Sequence, residues 1–392
     1  MKLYIFNPHT DLALANNSEN YQPSAKVRQM VCELEMLPMW FADPGSHILV
    51  SRIADQGFIE KQRELYGIDV EAISSNSATL STCDEIVPWG WNVSLRKQLS
   101  HTSIPAEALP TTEELQRYRA LSGRDYDVAL LKSLACARGR YTADILHDAD
   151  NCREYATKTP RCIFKAPWSG SGKGLLWCFG TYNEKSHGRC SRIIKEQGFV
   201  VATPIYDKVA DFALEFHSDG MGGITFVGYS LFETNTQGAY RGNILQSEAA
   251  HRATLARHID LALLDAIKEE LAERLAEVYG HNYMGYLGVD MMICREGDRC
   301  GIHPCVEVNM RMNMGVLSVI FSQRYLAEGS RGLYAIEYFA THDELKKRRE
   351  ELERSNPLHI SNGRLVSGFQ PLIPQTPQSN YLAYVTATTD II

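Results

Sequence analysis

A chain of 392 residues can hold two or three domains and bury a sizeable core. With 44% hydrophobic and 22% charged residues, its composition is that of a globular protein. A formal net charge of −7 excludes nucleic acid as a partner of the chain as a whole, because neutralising phosphates takes a basic surface. A local basic pocket for a nucleotide stays compatible with that charge.

The opening MKLYIFNPHTDLALANN carries a short apolar run stopped by Asn7, Pro8 and His9. It reads as a first strand and not as a signal peptide. No apolar run approaches the ~18 residues of a membrane span, so no membrane is expected as a partner. Ten cysteines without an export signal point to a cytoplasmic protein with free thiols. Short apolar runs (LYIF, HILVS, EIVPW) then alternate with helical patterns, as in parallel βα units. Ligands gather at the carboxyl ends of such strands, which makes Asn7, His9, Asp11, Trp89, Trp91 and Asn92 candidates for a substrate-facing rim.

From Leu109 to Asp148 the pattern is helical, opened by Pro110, Thr111 and Thr112 with Glu113 and Glu114 behind them. A strand over Cys162–Lys165 leads into FKAPWSGSGKGLLW (Phe164–Trp177), and a second strand follows over Leu175–Phe179. Small residues and a lysine crowd together here, as where a backbone closes over phosphates. It is not a Walker loop, whose pattern asks for glycine where Pro167 stands and Ser or Thr where Gly174 stands.

Phe199–Ala202 is a further apolar run, halted by Thr203 and Pro204. Phe212–Phe216 and Ile224–Phe232 read as a hairpin joined by SDGMGG. One long amphipathic helix is expected over Leu255, Ile259, Leu263, Ile267, Leu271, Leu275 and Val278, ending at Gly280. GVDMMICREG and IHPCVEVNMRMNMG supply two more strands, and ELKKRREELER reads as a solvated helix. Cys294, Cys300, His303 and Cys305 lack a CxxC spacing and read as packing residues of those two strands rather than zinc ligands.

In VEVNMR the period of two puts Glu307, Asn309 and Arg311 on one face and Val306, Val308 and Met310 on the other. A row of carboxylate, amide and guanidinium suits oxygen-ligated magnesium beside phosphate. On the preceding strand Asp290 lies between Val289 and Met291, so its carboxylate can meet Glu307 across the hairpin.

A strand lysine (Lys165), a glycine loop with its own lysine, and a later acidic strand pair resemble the ATP-grasp enzymes in their order and spacing. The motifs that carry the resemblance are KAPWSGSGKG, VVATPIYDKVADFALEF, GVDMMI and EVNMR. The resemblance implies an α/β ATP-grasp fold of two lobes behind an N-terminal parallel-sheet α/β domain. Its divisions fall at residues 1–108 for that first domain, 109–199 for the small lobe with the glycine loop, 200–345 for the large lobe with the metal site, and 346–392 for a C-terminal extension packed on the body. It also implies ATP and Mg2+, or Mn2+ in its place, and a homodimer as an assembly common among relatives.

By the same resemblance Lys165 reaches the α-phosphate, and the backbone of Ser169, Gly170, Ser171, Gly172 and Gly174 covers the outer phosphates. Lys173 on that loop is counted with the catalytic cations. Thr203 and Tyr206 lie at the hinge where backbone groups read adenine, although Ala202, Thr203 and Pro204 stand where many members carry a glutamate. Asp211 falls where an acid meets the ribose hydroxyls. Arg124 is the upstream cation for the nucleotide, with Lys132 and Arg119 as rivals. Asp290, Glu307 and Asn309 match the magnesium ligands, and Arg311 the arginine near the transferred phosphate. In SLFETNTQGAYRGNIL, Arg241 is the candidate to orient a carboxylate or stabilise an acyl phosphate.

The implied activity is that of a ligase: ATP phosphorylates a small-molecule carboxylate, and an amine or similar nucleophile attacks the acyl phosphate. Such transfer asks for positioning and charge neutralisation more than for a protein nucleophile. A kinase of the same fold, with His9, Asp11 or Glu233 as its base, and a non-catalytic nucleotide-binding protein are the alternatives at this stage. Residues 1–100 are expected to carry the substrate surface, and none of them names the acceptor.

Overall fold

The computed structural model describes residues 1–51, 55–170, 172–234 and 240–389. The first unit alternates strand and helix: β1 (Lys2–Ile5), α1 (Thr10–Asn16), α2 (Ala25–Leu34), β2 (Ser46–Val50), α3 (Gln56–Tyr66), β3 (Val70–Ser74), β4 (Glu85–Pro88) and α4 (Val93–Leu99). All the strand pairs are parallel, in the order β3-β2-β1-β4. Since β1 and β4 are neighbours, the turns that follow them lie side by side. Asn7 fastens the two: its Nδ2 donates to the Gly90 carbonyl at 2.7 Å and its Oδ1 accepts from the Gly90 amide at 3.3 Å.

The second unit comprises α5 (Thr112–Leu121), α6 (Arg124–Ser133), β5 (Asp144–Leu146), α7 (Ala149–Lys158), β6 (Arg161–Lys165), β7 (Leu175–Phe179), α8 (Glu184–Gln197) and β8 (Val200–Pro204). Thr111 and Glu114 close a reciprocal capping box at the start of α5, the signal the sequence carried there. The strands form an antiparallel sheet in the order β5-β8-β6-β7. Its core is Phe164 with the buried thiols Cys152, Cys162, Cys178 and Cys190. β8 runs on through Thr203 and Pro204, and Thr203 pairs with Ile163 of β6.

The rest of the chain builds one large sheet from β9 (Lys208–Asp219), β10 (Ile224–Thr234), β11 (Tyr240–Leu245), α9 (Glu248–Leu255), α10 (Leu261–Tyr279), β12 (Met284–Glu296), β13 (Arg299–Asn309), α11 (Met314–Tyr325), β14 (Ser330–Tyr338), α12 (His342–Ser355), β15 (His359–Ser361), β16 (Arg364–Pro371) and β17 (Tyr381–Thr389). The strand order is β13-β12-β9-β10-β11-β14-β17-β16-β15. The C-terminal strands therefore extend this sheet. The single helix expected after residue 255 is two, because Asp260 caps a new start with its side chain accepting from the Ala262 amide. Leu264, Ile267, Leu271, Leu275 and Tyr279 form the buried face of α10, so the stripe runs one position away from Leu263 and Val278. Among the described residues no helix is long and apolar enough to cross a membrane.

The two faces of the sheet differ in chemistry. Phe212, Leu214, Phe216, Leu287, Val289 and Met291 enter the core shared with α10. The opposite face lies under α11, whose residues Gly315–Phe321 are all buried, as befits a helix apolar on every side. This helix also joins the core of the first unit, where Trp40 packs against Phe321 and Tyr325.

Candidate active site

The site grows from strand register. Asp290 of β12 pairs directly with Glu307 of β13 and, on its other side, with Ala213 of β9. One step along, Gly288 pairs with Asn309 and with Glu215. Two rows across three strands thus read Ala213-Asp290-Glu307 and Glu215-Gly288-Asn309, polar groups with small residues between them. The small residues are needed: a Cβ on Gly288 would lie 2.5 Å from Asn313 Nδ2 and 2.6 Å from Glu215 Oε2. The face that alternation assigned to Glu307 and Asn309 is therefore the α11 face, beside Asp290.

Between Asp290 and Met292 the register slips, because β13 carries extra residues around Pro304. A bulge with a proline suits the strand at the edge of the sheet. It turns the Val306 carbonyl outward, where Lys165 Nζ donates to it at 3.3 Å. Thus the lysine of the small sheet reaches the strand of Glu307 and Asn309 in the large one.

Arg124, only 4% exposed, stands between them at the start of α6. Its guanidinium donates to the Ala166 carbonyl at 2.5 Å and to Ser169 Oγ at 2.8 Å, and it pairs with Glu307 Oε1 at 2.5 Å. Of the three upstream cations considered, it alone joins this cluster. Lys132 is exposed, and Arg119 lies over the Trp168 ring at 3.7 Å with its Nε donating to the Leu14 carbonyl. Arg311 follows β13, donates to Asn309 Oδ1 at 2.8 Å, and forms a two-pronged pair with Asp11.

Burial and mutual charge set the protonation of this cluster. Burial, then the neighbouring Glu307, pushes the Asp290 carboxyl up to about 7. The same two causes push Asp127 up to about 8. Burial would raise Glu307 as well, but Arg124, with Arg311 and Lys165, holds it below the ordinary carboxylate value. Burial and the Arg124 charge push Lys165 down. Two facing carboxyls that repel each other, with an amide oxygen in the next row, are a donor set for a hard divalent cation. The residues fit Mg2+ in their chemistry.

Other expected residues are placed as follows. Ser169 is buried, and Gly174 passes so close that a Cβ there would meet Ser169 Oγ at 2.1 Å. Gly172 has a φ of 73°, the left-handed region that favours glycine. Ser171 and positions 235–239 lie outside the described residues. Lys173 is exposed, its carbonyl accepting from Arg189 at 3.0 Å. Thr203 is buried and lines a cleft with Lys165, Arg124 and His303. Tyr206 accepts from the Thr142 amide through its hydroxyl and packs edge-on to Tyr141 and His303. Asp211 pairs with Lys208 at 2.5 Å. Arg241 is exposed on β11, three strands from β12. On the rim, Asp11 and Trp91 line the cleft with Arg124 and Arg311. Trp89 instead packs against Phe6, and Asn92 caps α4.

Two residues escaped the sequence reading. Asp127, in the turn of helix after Arg124, accepts from the Val308 amide at 3.0 Å. Its spacing of three from Arg124 on a helix was the available signal. Glu215, 1% exposed, accepts from Asn313 at 2.9 Å, and burial pushes it up to about 8. In ADFALEF the period of two already put Asp211 and Glu215 on one face, opposite Phe212, Leu214 and Phe216.

No protein-family model matches the chain, and no curated protein matches it significantly. Solved structures do. The N5-carboxyaminoimidazole synthetase of Staphylococcus aureus, complexed with ADP, aligns over 100% of this chain and 93% of its own, with a TM-score of 0.52 at 14% identity. The biotin carboxylase domain of the Hydrogenobacter thermophilus 2-oxoglutarate carboxylase, in complex with MgADP and bicarbonate, covers 99% of this chain and 86% of its own, with a TM-score of 0.52 at 10% identity. Biotin carboxylase from Campylobacter jejuni, with a β,γ-ATP complex, covers 98% and 87%, with a TM-score of 0.51 at 10% identity. The chain has the fold of these enzymes, the ATP-grasp fold, from end to end.

Proposed function

We propose that the protein is a Mg-ATP-dependent ligase that activates a small-molecule carboxylate as an acyl phosphate for attack by an amine or similar nucleophile. The observation that carries this reading is the meeting of Asp290, Glu307 and Asn309 with Arg124, Lys165 and Ser169 in one cleft between the two sheets. Solved structures of the same fold are complexes with ADP, MgADP or β,γ-ATP, which supports nucleotide as the cofactor.

In this reading Asp290, Glu307 and Asn309 hold Mg2+, which when bound neutralises phosphate charge. Arg124 and Lys165 face the inner phosphates, and the amides around Ser169 to Gly174 cover the outer ones. Thr203 and Tyr206 border the base, and Asp211 the ribose. Arg311, held rigid between Asp11 and Asn309, brings a fixed positive charge to the transferring phosphoryl group or the carboxylate it joins. Lys173 and Arg241 are secondary candidates, since neither side chain contacts the buried cluster among the described residues.

The test incubates the protein with ATP, Mg2+, a pool of small carboxylic acids and hydroxylamine, followed by mass spectrometry. The expected product is a hydroxamate whose mass names the acid, and which vanishes with Glu307→Gln. A phosphorylated alcohol beside ADP would replace the ligase reading with that of a kinase.

A further inference from the structure

Among the described residues of the N-terminal unit, Asp11 is the charged side chain that lines the cleft. Asp11 sits in the first turn of α1, directly after the turn that leaves β1. Its Oδ1 accepts from Arg311 Nε at 2.8 Å and its Oδ2 from Arg311 Nη2 at 2.9 Å. Both side chains are 16% exposed. The segment carrying Arg311 is held by the same unit a second time, because the Met312 amide donates to the Trp89 carbonyl at 2.8 Å. Arg311 also donates to the Met312 carbonyl through Nη1 at 3.3 Å.

Asp11 touches the phosphate loop as well. A Cβ built on Gly170 would lie 2.6 Å from Asp11 Oδ2. Gly170 is not among the glycines of positive φ, so a side chain there is opposed by Asp11 and not by the backbone. One carboxylate therefore borders both the arginine of the metal strand and the glycine loop of the small sheet. A two-pronged pair fixes the plane of a guanidinium as well as its position, which a single bond does not. A guanidinium held in place before reaction needs no reorganisation as charge develops.

We propose that Asp11 is a positioning residue: it aims Arg311 at the reacting group and sets the seat of the glycine loop, so that the N-terminal unit completes the active site. The inference rests on the ligase reading above. A mere strut between two units would lose stability on mutation but keep the turnover of the folded fraction.

The first arm measures ATP-dependent hydroxamate formation and ADP release on folded protein. Asp11→Asn is expected to lower kcat by about tenfold or more while the KM for ATP changes little. Asp11→Glu, which keeps the charge and the fork, is expected to recover part of the loss. The second arm measures ATP affinity by calorimetry. Gly170→Ala is expected to weaken ATP binding in the wild-type background, and to be tolerated in the Asp11→Ala background where its methyl has room. An Asp11→Asn enzyme with wild-type kcat, or a Gly170→Ala effect equal in both backgrounds, would overturn the inference and leave the ligase reading intact. A wild type that binds ATP without turnover overturns the ligase reading, and the affinity cycle then decides the loop contact alone. A wild type that binds no ATP overturns both.

Discussion

Arg124 and Glu307 are the clearest case of a single pair fixing the site, because Arg124 is sealed among Ala166, Ser169 and the β13 carboxylate. Removing one partner strands the other in a medium of low polarity. Arg124→Met is expected to cost about 3 kcal/mol of unfolding free energy, and adding Glu307→Gln to recover part of it. Chemical denaturation of the three variants reads this, and simple additivity would contradict it. A second residue-scale effect concerns His251 of α9, 4% exposed and bonded to Gln246. Burial pushes its imidazole down to about 4. The unfolded chain then takes up a proton near pH 6.5 that the folded chain refuses. The stability this residue contributes is complete above that pH and is lost as pH falls toward 4, by about 2 kcal/mol at pH 5. The stability gap between wild type and His251→Asn should shrink by that amount between pH 7 and pH 5, and a constant gap would contradict the assignment. At this scale the shared face of Glu307 and Asn309 and the facing of Asp290 with Glu307 were legible from strand period, whereas Arg124 was named only through the family resemblance. Asp11's partner was not legible, because Asp11 and Arg311 lie 300 residues apart in the chain.

At the scale of elements, the alternating rows of β9, β12 and β13 make room for polar groups by setting small residues beside them. Gly288→Ala should push Glu215 and Asn313 apart, with a stability loss of about 2 kcal/mol and weaker binding of Mg-ATP. An alanine variant as stable as the parent would show that these rows tolerate more than their geometry allows. Strand period was readable here, since VEVNMR and ADFALEF each separate two faces without any knowledge of their partners. Register was not readable. It depends on the bulge around Pro304 and on which strands are neighbours, and β12 lies beside β9 although β10 and β11 come between them in sequence. The helix expected over residues 255–278 failed for a related reason. Its apolar period survives across a break that the Asp260 cap imposes, so period alone cannot see the break.

At the scale of the molecule, three sheets converge on the cleft: the parallel sheet delivers Asp11, the small antiparallel sheet Lys165 and Ser169, and the large sheet its carboxylates. The parallel βα opening and the glycine loop were legible in chain order, while the convergence followed only from the contacts between units. A ligand bound across such a cleft stabilises all three together. Mg-ATP at a hundredfold excess over its Kd should raise the unfolding free energy by about 2.7 kcal/mol, and much less with Glu307→Gln. In the proposed reaction a carboxylate oxygen attacks the terminal phosphorus of ATP. Carboxylic acids carrying 18O at both oxygens, supplied with ATP, Mg2+ and amine acceptors, label that oxygen, and the mass of the phosphate released reports where it goes. One 18O atom per phosphate is the expected result, since the carboxylate oxygen leaves with phosphorus when the amine displaces it. Phosphate without the label, or a phosphorylated alcohol in its place, would contradict the account.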